Sequence, residues 1–475
     1  MLERLRSFDP VEDKARAWAL DDGARRLELS AALREVSWNQ KLLAALHEAP
    51  DLVEAHEALA DALAVDLVAA EEQRDFSAAA RAEALLELHD RGRHSALLRA
   101  EGLITLRTAP VEAEVDVLRY VDRERRLRPE SWARAPSAPL GPVRDEDGAR
   151  ERTPLVRVAL PRGDYVLRLR AAGYRDTLYP VSLRRGEHWD GVPPDAAHPL
   201  PIPLLREDAL DDDEVYVPAG WFVCGGDAAA GESLPRARVW VGGFVVRRHP
   251  VTVAEYVDFL NGLVDADREG EAAAACPSAD GPAAGRPAMP LLARQRSGRY
   301  TCDAASSSRP IVSIDWWSAA AYASWIAART GQPWRLVSEL EREKAARGVD
   351  GRFMPWGDHV EPTWANMVGS RPGAPSIAKI HDFATDESPY GVRGLAGNIR
   401  DWCIEVWRPE GPRTPSGVLS VEPPVAGDGS LRSVRGGAWS APPTLCRAAT
   451  RFAAAPDERF ANVGVRLARS IDAPV

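Results

Sequence analysis

Hydrophobic residues near the start of the chain recur with the spacing of a helix. In EAHEALADALAVDLVAAEE, residues 54–72, leucines stand at every fourth position as Leu59, Leu63 and Leu67, which places them on one helix face. A second stretch of helical composition, FSAAARAEALLELHDRG, ends at Gly92. These patterns predict a helical module over residues 1–100.

The spacing changes to that of strands from about residue 103 onward. Tyr165, Leu167 and Leu169 alternate with neighbours that include two arginines in LPRGDYVLRLRAAGYRDTLYPVSL, residues 160–183, as in a half-buried strand. Residues 128–152, which precede this stretch, lack the alternation and are predicted to form a loop. We therefore expect a small β-sandwich over residues 101–204.

A third region follows the acidic segment LREDALDDDE, residues 205–214, which we interpret as a linker. Thr252 with Glu255, and Ser338 with Glu341, have the spacing of capping boxes at helix starts. Ser318 is the predicted N-cap of a third helix. After residue 346 the regular spacing is lost, so residues 215–475 are expected to form a domain with much irregular structure. The predicted fold class is α+β with several domains.

Composition narrows the classes of function. The chain has 475 residues, 45% of them hydrophobic, and a net charge of -10, which favours a globular protein without a nucleic-acid or anionic-membrane surface. No apolar run has the length of a membrane span or a signal sequence. We therefore expect a cytoplasmic protein. The five cysteines form no CxxC pair, so we expect free thiols.

Motifs for other chemistry are missing from the sequence. The nine histidines form no HExxH pattern, so a zincin site is not supported. There is also no GxxxxGK[ST], no GxSxG and no set of kinase motifs.

A series of segments in the last region resembles the formylglycine-generating enzyme, or sulfatase-modifying factor, family. The segments, in chain order, are VYVPAGWFVCGG, HPVTVAEYVDFL, RPIVSIDWWSAAAYASWI, RLVSELEREKAARG, MPWGDH, ESPYGVRGLAGNIRDW, SVRGGAWS and FANVGVRLAR. The resemblance implies a fold of the C-type-lectin-like kind, with little regular secondary structure, for residues 215–475.

Weaker resemblances cover the rest of the chain. The two helices resemble one loose tetratricopeptide-type hairpin without a repeating array. Residues 101–204 resemble the PEGA module, a small β-sandwich of bacterial proteins, which implies binding or spacing. The order of the three modules resembles the region that follows the catalytic domain in some bacterial serine/threonine kinases.

The family resemblance implies a copper site that this chain does not complete. Family enzymes hold copper(I) between two cysteines five residues apart, just after the RGG motif. The second position falls on Cys446 and the first on Ala441. Since a methyl group cannot ligate copper(I), we expect no copper, and Cys446 is the catalytic candidate only if the chain is an enzyme.

Calcium is the cofactor that the resemblance leaves as a candidate. The resemblance implies one calcium site at GLAGNIRDW, with the Asp401 carboxylate and the carbonyls of Gly397 and Ile399 as ligands. It implies a second site that begins at Asn366 and the carbonyl of Met367. The alternative is that these residues determine the fold through buried hydrogen bonds.

The resemblance also implies a ligand cleft beside the RGG motif. The candidate residues are Arg435, Trp439, Ser440, Arg447 and Arg451. For the arginines the alternative is that buried guanidinium groups connect loops through carboxylates or carbonyls.

Three hypotheses for the function follow. The first is a catalytically divergent family member that acts as a regulatory module and binds a peptide or protein partner. The second is an oxidoreductase of this family with altered metal chemistry. The third is a scaffold for a kinase or effector that is encoded separately. None involves nucleic acid or a membrane.

Overall fold

The computed structural model describes residues 11–132, 151–279, 291–422 and 429–471. The chain divides into two compact units, Met1–Glu101 and Gly102–Val475. Within the described ranges, no helix combines the length and the apolar character needed to cross a bilayer.

The first unit is helical, in agreement with the spacing of its leucines. Its helices are α1 (Val11–Glu48), α2 (Val53–Gln73), α3 (Phe76–His89) and α4 (Ser95–Leu98). Small side chains let α2 and α3 approach closely, with Leu67 and Leu86 fully buried between alanines. Asp75 caps α3 by accepting a hydrogen bond from the N–H of Ala78.

The second unit begins with a group of short strands. They are β1 (Glu101–Leu106), β2 (Thr108–Ala109), β3 (Glu114–Arg123), β4 (Arg126–Ser131), β5 (Leu155–Pro161), β6 (Gly163–Arg170), β7 (Thr177–Leu183), β8 (His188–Trp189) and β9 (Ile202–Pro203). One sheet has the order β4-β3-β6-β7, a second β5-β1-β8, and β2 pairs with β9. The loop predicted over 128–152 is wrong at its start, because β4 pairs with β3 there. Residues 133–150 of that prediction lie outside the described residues.

The remainder of the second unit mixes helices with short strands. Its helices are α5 (Val253–Asp265), α6 (Glu269–Ala275), α7 (Trp316–Thr330) and α8 (Glu339–Arg347). Its strands are β10 (Glu214–Val217), β11 (Gly220–Cys224), β12 (Ala237–Val241), β13 (Phe244–Arg247), β14 (Ala293–Arg294), β15 (Tyr300–Thr301), β16 (Arg335–Leu336), β17 (Arg400–Val406), β18 (Arg432–Arg435), β19 (Arg451–Ala454), β20 (Val463–Gly464) and β21 (Leu467–Ser470). The two largest sheets have the orders β10-β13-β21-β16 and β19-β18-β17-β20. Between residues 348 and 399, all of them described, the one helical segment is the short 3-10 turn Pro362–Trp364.

Local capping signals were predicted correctly at two of the three helix starts. Both capping boxes are present, at Thr252 for α5 and at Ser338 for α8. The predicted N-cap Ser318 is wrong, because α7 begins at Trp316 and is capped by Asp315, whose carboxylate accepts the N–H of Ser318 at 2.7 Å.

The β-sandwich packs directly against the domain that follows it. Arg238 lies between two indole rings, with its guanidinium carbon 5.2 Å from the ring centroid of Trp189 and 5.3 Å from that of Trp221. The N–H of Leu127 donates to the carbonyl of Trp356 at 2.8 Å. Buried residues of both parts belong to one continuous apolar cluster. The boundary at residues 205–214 stays a prediction.

Candidate functional site

The candidate site lies where the loop after β18 leaves its sheet. Asp401 of β17 pairs with Arg435 of β18 in an antiparallel register, so the loop 436–446 begins beside Arg400. Gly437 permits two backbones to approach, because a Cβ at this position would stand 1.9 Å from the carbonyl oxygen of Ala396 and 2.5 Å from Cys446 Sγ. Only glycine fits this crossing.

Cys446 is a buried thiol in an apolar cluster. The cluster contains Met354, Trp356, Ala365, Met367, Ala396, Ala438, Ala441 and Cys446. The Sγ–H group is directed at two carbonyl oxygens, at 3.9 Å on Ala441 and 4.0 Å on Ala438. Burial raises the pKa of the Cys446 thiol to about 12, so it stays protonated at neutral pH and lacks thiolate character.

The surroundings of Cys446 do not fit a copper(I) ion. Ala441 supplies a methyl group where a second sulfur is required. Cys403 is fully buried in a different apolar cluster, and its Sγ lies 3.8 Å from the carbonyl oxygen of Asp401. Across the described part of the chain, no three histidine, cysteine, aspartate or glutamate residues form a potential metal site.

All three predicted cleft arginines have buried partners. Arg435, with no exposed surface, forms ion pairs with Glu343 and Glu339 of α8. Arg451 pairs with the same Glu339 and is 2% exposed. Arg447 pairs with Asp227 at 2.5 Å. These guanidinium groups therefore connect distant segments through buried ion pairs, which is the alternative that the sequence analysis gives for these arginines. They do not line an open cleft.

The predicted calcium residues are held by hydrogen bonds and ion pairs. Asp401 has no exposed surface, and its Oδ2 lies 2.7 Å from Nε of Arg342 and 3.5 Å from Nε of Arg466. A calcium ion on this carboxylate would lie beside two guanidinium cations, which is electrostatically unfavourable. Oδ1 of Asp401 is buried and has no hydrogen-bond partner in the described structure, but the two cations within 3.5 Å of Oδ2 disfavour a calcium ion on this carboxylate.

The two predicted calcium loops meet each other. Asn366 donates from Nδ2 to Oδ1 of Asn398 at 2.8 Å, and the N–H of Asn398 donates to the carbonyl of Asn366 at 2.8 Å. The carbonyl of Gly397 accepts the N–H of Ile399 at 2.9 Å. Met367 is 1% exposed and belongs to the apolar cluster around Cys446. Hydrogen bonds thus occupy oxygens that a calcium ion would need.

Trp439 and Ser440 are the predicted cleft residues that reach the surface. The indole N–H of Trp439 donates to the carbonyl of Ala461 at 3.2 Å. Ser440 is exposed, and its Oγ accepts from Nδ2 of Asn462 at 2.9 Å. These bonds attach the loop after β18 to the segment that leads into β20.

Sequence reasoning missed Arg400, which lies next to these residues. Its N–H donates to the carbonyl of Asn462 at 2.9 Å. Its guanidinium carbon lies 4.0 Å from the ring centroid of Phe452 on β19. The segment GNIRDW could have identified Arg400. In the formylglycine-generating enzyme family, which the sequence resembles, the corresponding segment is of the type GNxWEW and has a tryptophan at the position of Arg400.

Comparison with known proteins gives a family and several relatives. Residues 203–471 match the family described as sulfatase-modifying factor enzyme 1-like domain. A formylglycine-generating enzyme of Streptomyces coelicolor is 30% identical over 319 residues, which cover 59% of this chain and 96% of that enzyme. The serine/threonine-protein kinase pkn1 of Chlamydia pneumoniae is 25% identical over 314 residues, covering 63% of this chain and 44% of the kinase. The inactive Cα-formylglycine-generating enzyme 2 of Mus musculus is 28% identical over 179 residues, covering 35% of this chain and 50% of that protein.

Proposed function

This chain belongs to the family of sulfatase-modifying factor enzyme 1-like proteins, and from that premise we propose that it is a catalytically divergent member. It acts as a regulatory module, and its cleft beside Trp439 and Ser440 binds a peptide or a partner protein. The relatives include an enzyme, a kinase and a protein described as inactive, so membership alone does not assign an activity.

The observation that carries this proposal is the pair Ala441 and Cys446. The chemistry implied for the family needs two thiolates, and this chain has one thiol, which burial in an apolar cluster keeps protonated although the nearby Arg400 guanidinium lowers its pKa. A neutral buried thiol is a poor ligand and a poor nucleophile. Cys446 therefore serves as a small hydrophobic residue of the core.

The remaining surface of the site supports binding. Trp439 is partly exposed and Ser440 is exposed, which provides an aromatic face next to a hydroxyl group. Both are fixed by hydrogen bonds to residues 461–462, so the surface is formed before a ligand arrives. Such preorganisation lowers the entropic cost of binding.

Location and partner class are part of the same proposal. All five cysteines are free, which fits the reducing cytoplasm. The likeness to a chlamydial kinase supports a partner among kinases or effectors that are encoded separately. We do not assign calcium a role at Asp401, since its carboxylate already pairs with two arginines.

A peptide oxidation assay tests the loss of catalysis. The full chain is supplied with copper(I), oxygen and a reductant, and is incubated with a cysteine-containing peptide of the sulfatase type. We expect mass spectrometry to find the peptide unchanged, while an active family enzyme run in parallel converts it. Formation of the aldehyde by this chain would overturn the proposal.

The second candidate is an oxidoreductase with altered chemistry, which the 30% identity to a formylglycine-generating enzyme favours. It requires Cys446 to react. Oxygen consumption that Cys446→Ser abolishes, and that the control Cys403→Ser preserves, would support it. Our proposal expects neither variant to change oxygen consumption from the background.

A further inference from the structure

Arg400 is a partly exposed arginine of this domain, and no carboxylate among the described residues neutralises it. Its Nε is buried and has no hydrogen-bond partner in the described structure. Among the described residues, no aspartate or glutamate forms an ion pair with it, whereas Arg342, Arg435 and Arg447 each have one. The Phe452 ring holds the guanidinium through a cation–π contact of 4.0 Å.

Arg400 lies next to the proposed binding cleft. Asn462 links the two, because its carbonyl accepts the N–H of Arg400 and its side chain donates to Ser440 Oγ. We name this surface the Arg400 patch, which consists of Arg400, Trp439, Ser440, Phe452 and Asn462. All of its members are at least partly exposed.

The buried Nε of Arg400 has no acceptor among the described residues. Buried polar groups in proteins are generally hydrogen-bonded, and a guanidinium group presents a planar fork that matches a carboxylate. Burial disfavours the charged form of Arg400, whose pKa is lowered. An anion that arrives from outside the chain would restore the missing interaction.

We propose that the Arg400 patch binds an acidic side chain, aspartate or glutamate, of a peptide ligand. This inference rests on the proposed function, since it assigns the ligand class to the same cleft. One guanidinium balances the single charge of one carboxylate. The exposed Ser440 hydroxyl and the Trp439 ring, at the neighbouring positions, contact the residues that flank the acidic side chain.

Selection of displayed peptides tests the proposal. A library of random heptapeptides on bacteriophage is selected on the immobilised full chain, on Arg400→Gln, on Arg400→Lys and on Arg296→Gln, a control at an exposed position. We expect aspartate and glutamate to be enriched at one position with the parent chain and with Arg296→Gln. The enrichment disappears with Arg400→Gln, and it persists in weaker form with Arg400→Lys, which keeps the charge and loses the fork.

Synthetic peptides then measure the preference directly. The enriched peptide and its glutamine analogue are titrated against the parent chain at low and high salt. A charge-assisted hydrogen bond predicts a preference for the acidic peptide on the order of tenfold at low salt, with a smaller preference at high salt. This comparison needs no variant, so it tests the carboxylate site even if Arg400→Gln and Arg400→Lys fail to fold.

The outcomes distinguish the carboxylate site at Arg400 from peptide binding by the cleft as a whole. Peptides enriched without an acidic position, or bound equally well by Arg400→Gln, overturn the carboxylate site and leave peptide binding by the cleft intact. Selection that enriches no peptide overturns both. An equal affinity of the parent chain for the acidic peptide and its glutamine analogue overturns the carboxylate site alone.

Discussion

At the scale of single residues, the interior of the last domain is organised by arginine pairs. Arg435 reaches Glu343 across 92 positions of the sequence, and Arg447 reaches Asp227 across 220. The sequence indicates that such arginines are candidates for buried pairs, because arginine is suited to them. It could not identify their partners, since no periodic pattern relates residues so far apart.

The pair between Asp401 and Arg342 predicts a large effect of a small substitution. Asp401→Asn leaves the buried guanidinium groups of Arg342 and Arg466 without their carboxylate, so we expect the free energy of unfolding to fall by about 3–5 kcal/mol. Glu130→Gln, in an exposed pair with Arg123, should leave it almost unchanged because solvent screens the pair. Urea unfolding measures both. A stabilisation of the parent chain by calcium that Asp401→Asn abolishes would contradict our description of this site.

Burial of Cys446 predicts slow modification. Its pKa is raised to about 12, so the thiolate that reacts with iodoacetamide is scarce at pH 8. Cys302 is partly exposed and should be alkylated first, as followed by peptide mass spectrometry over time. Equal rates of alkylation at the two positions in the folded protein would show that Cys446 is accessible and ionised.

At the scale of elements, local signals predicted what depends on neighbouring residues. The capping boxes at Thr252 and Ser338 need two residues three positions apart, and both are present. The start of α7 was misplaced because Asp315 and Ser318 are both good N-cap residues. Asp315 also pairs with Arg459, 144 positions later in the chain, which is a contact that the local sequence does not reveal.

The irregular loops depend on close contacts that spacing does not reveal. Gly437→Ala would place a methyl group against the carbonyl of Ala396 and the thiol of Cys446, so we expect a loss of about 3 kcal/mol or more in the free energy of unfolding. Gly242→Ala, where a Cβ meets no atom within 4 Å, is the matched control. Thermal unfolding of the two variants should differ clearly, and similar melting temperatures would disprove the crossing of these loops.

At the scale of the whole molecule, the predicted α+β fold class is confirmed, whereas the division into three modules stays a prediction. The extensive contact between the β-sandwich and the last domain was not foreseen. Arg238 forms part of this contact. Its guanidinium group lies against the rings of Trp189 and Trp221, and its Nη1 is 2.6 Å from Oε1 of Glu187. The sequence around each of these residues resembles that of any strand or surface segment. Only the folded structure therefore shows that the residues contact one another.

This contact predicts that the sandwich supports the last domain. Trp189→Ala removes a buried indole that stacks with Arg238 and donates to the Tyr179 hydroxyl, and should cost about 3–5 kcal/mol. Eleven of the 15 tryptophans lie between residues 221 and 439, so fluorescence reports the unfolding of the last domain. We expect the whole fluorescence transition to shift, and Val156→Ala, at an exposed position of the sandwich, to leave it unchanged. A fluorescence transition that Trp189→Ala leaves unchanged would mean that the two parts unfold independently.

Copper(I) binding tests the central claim, that the chain lacks the metal site of its family. The parent chain and Ala441→Cys are titrated with copper(I) under anaerobic conditions against a competing chelator. We predict that the parent chain takes up no tightly bound copper(I), and that Ala441→Cys gains affinity because a second sulfur then lies five residues before Cys446. One equivalent of tightly bound copper(I) on the parent chain, lost on Cys446→Ser, would contradict the account.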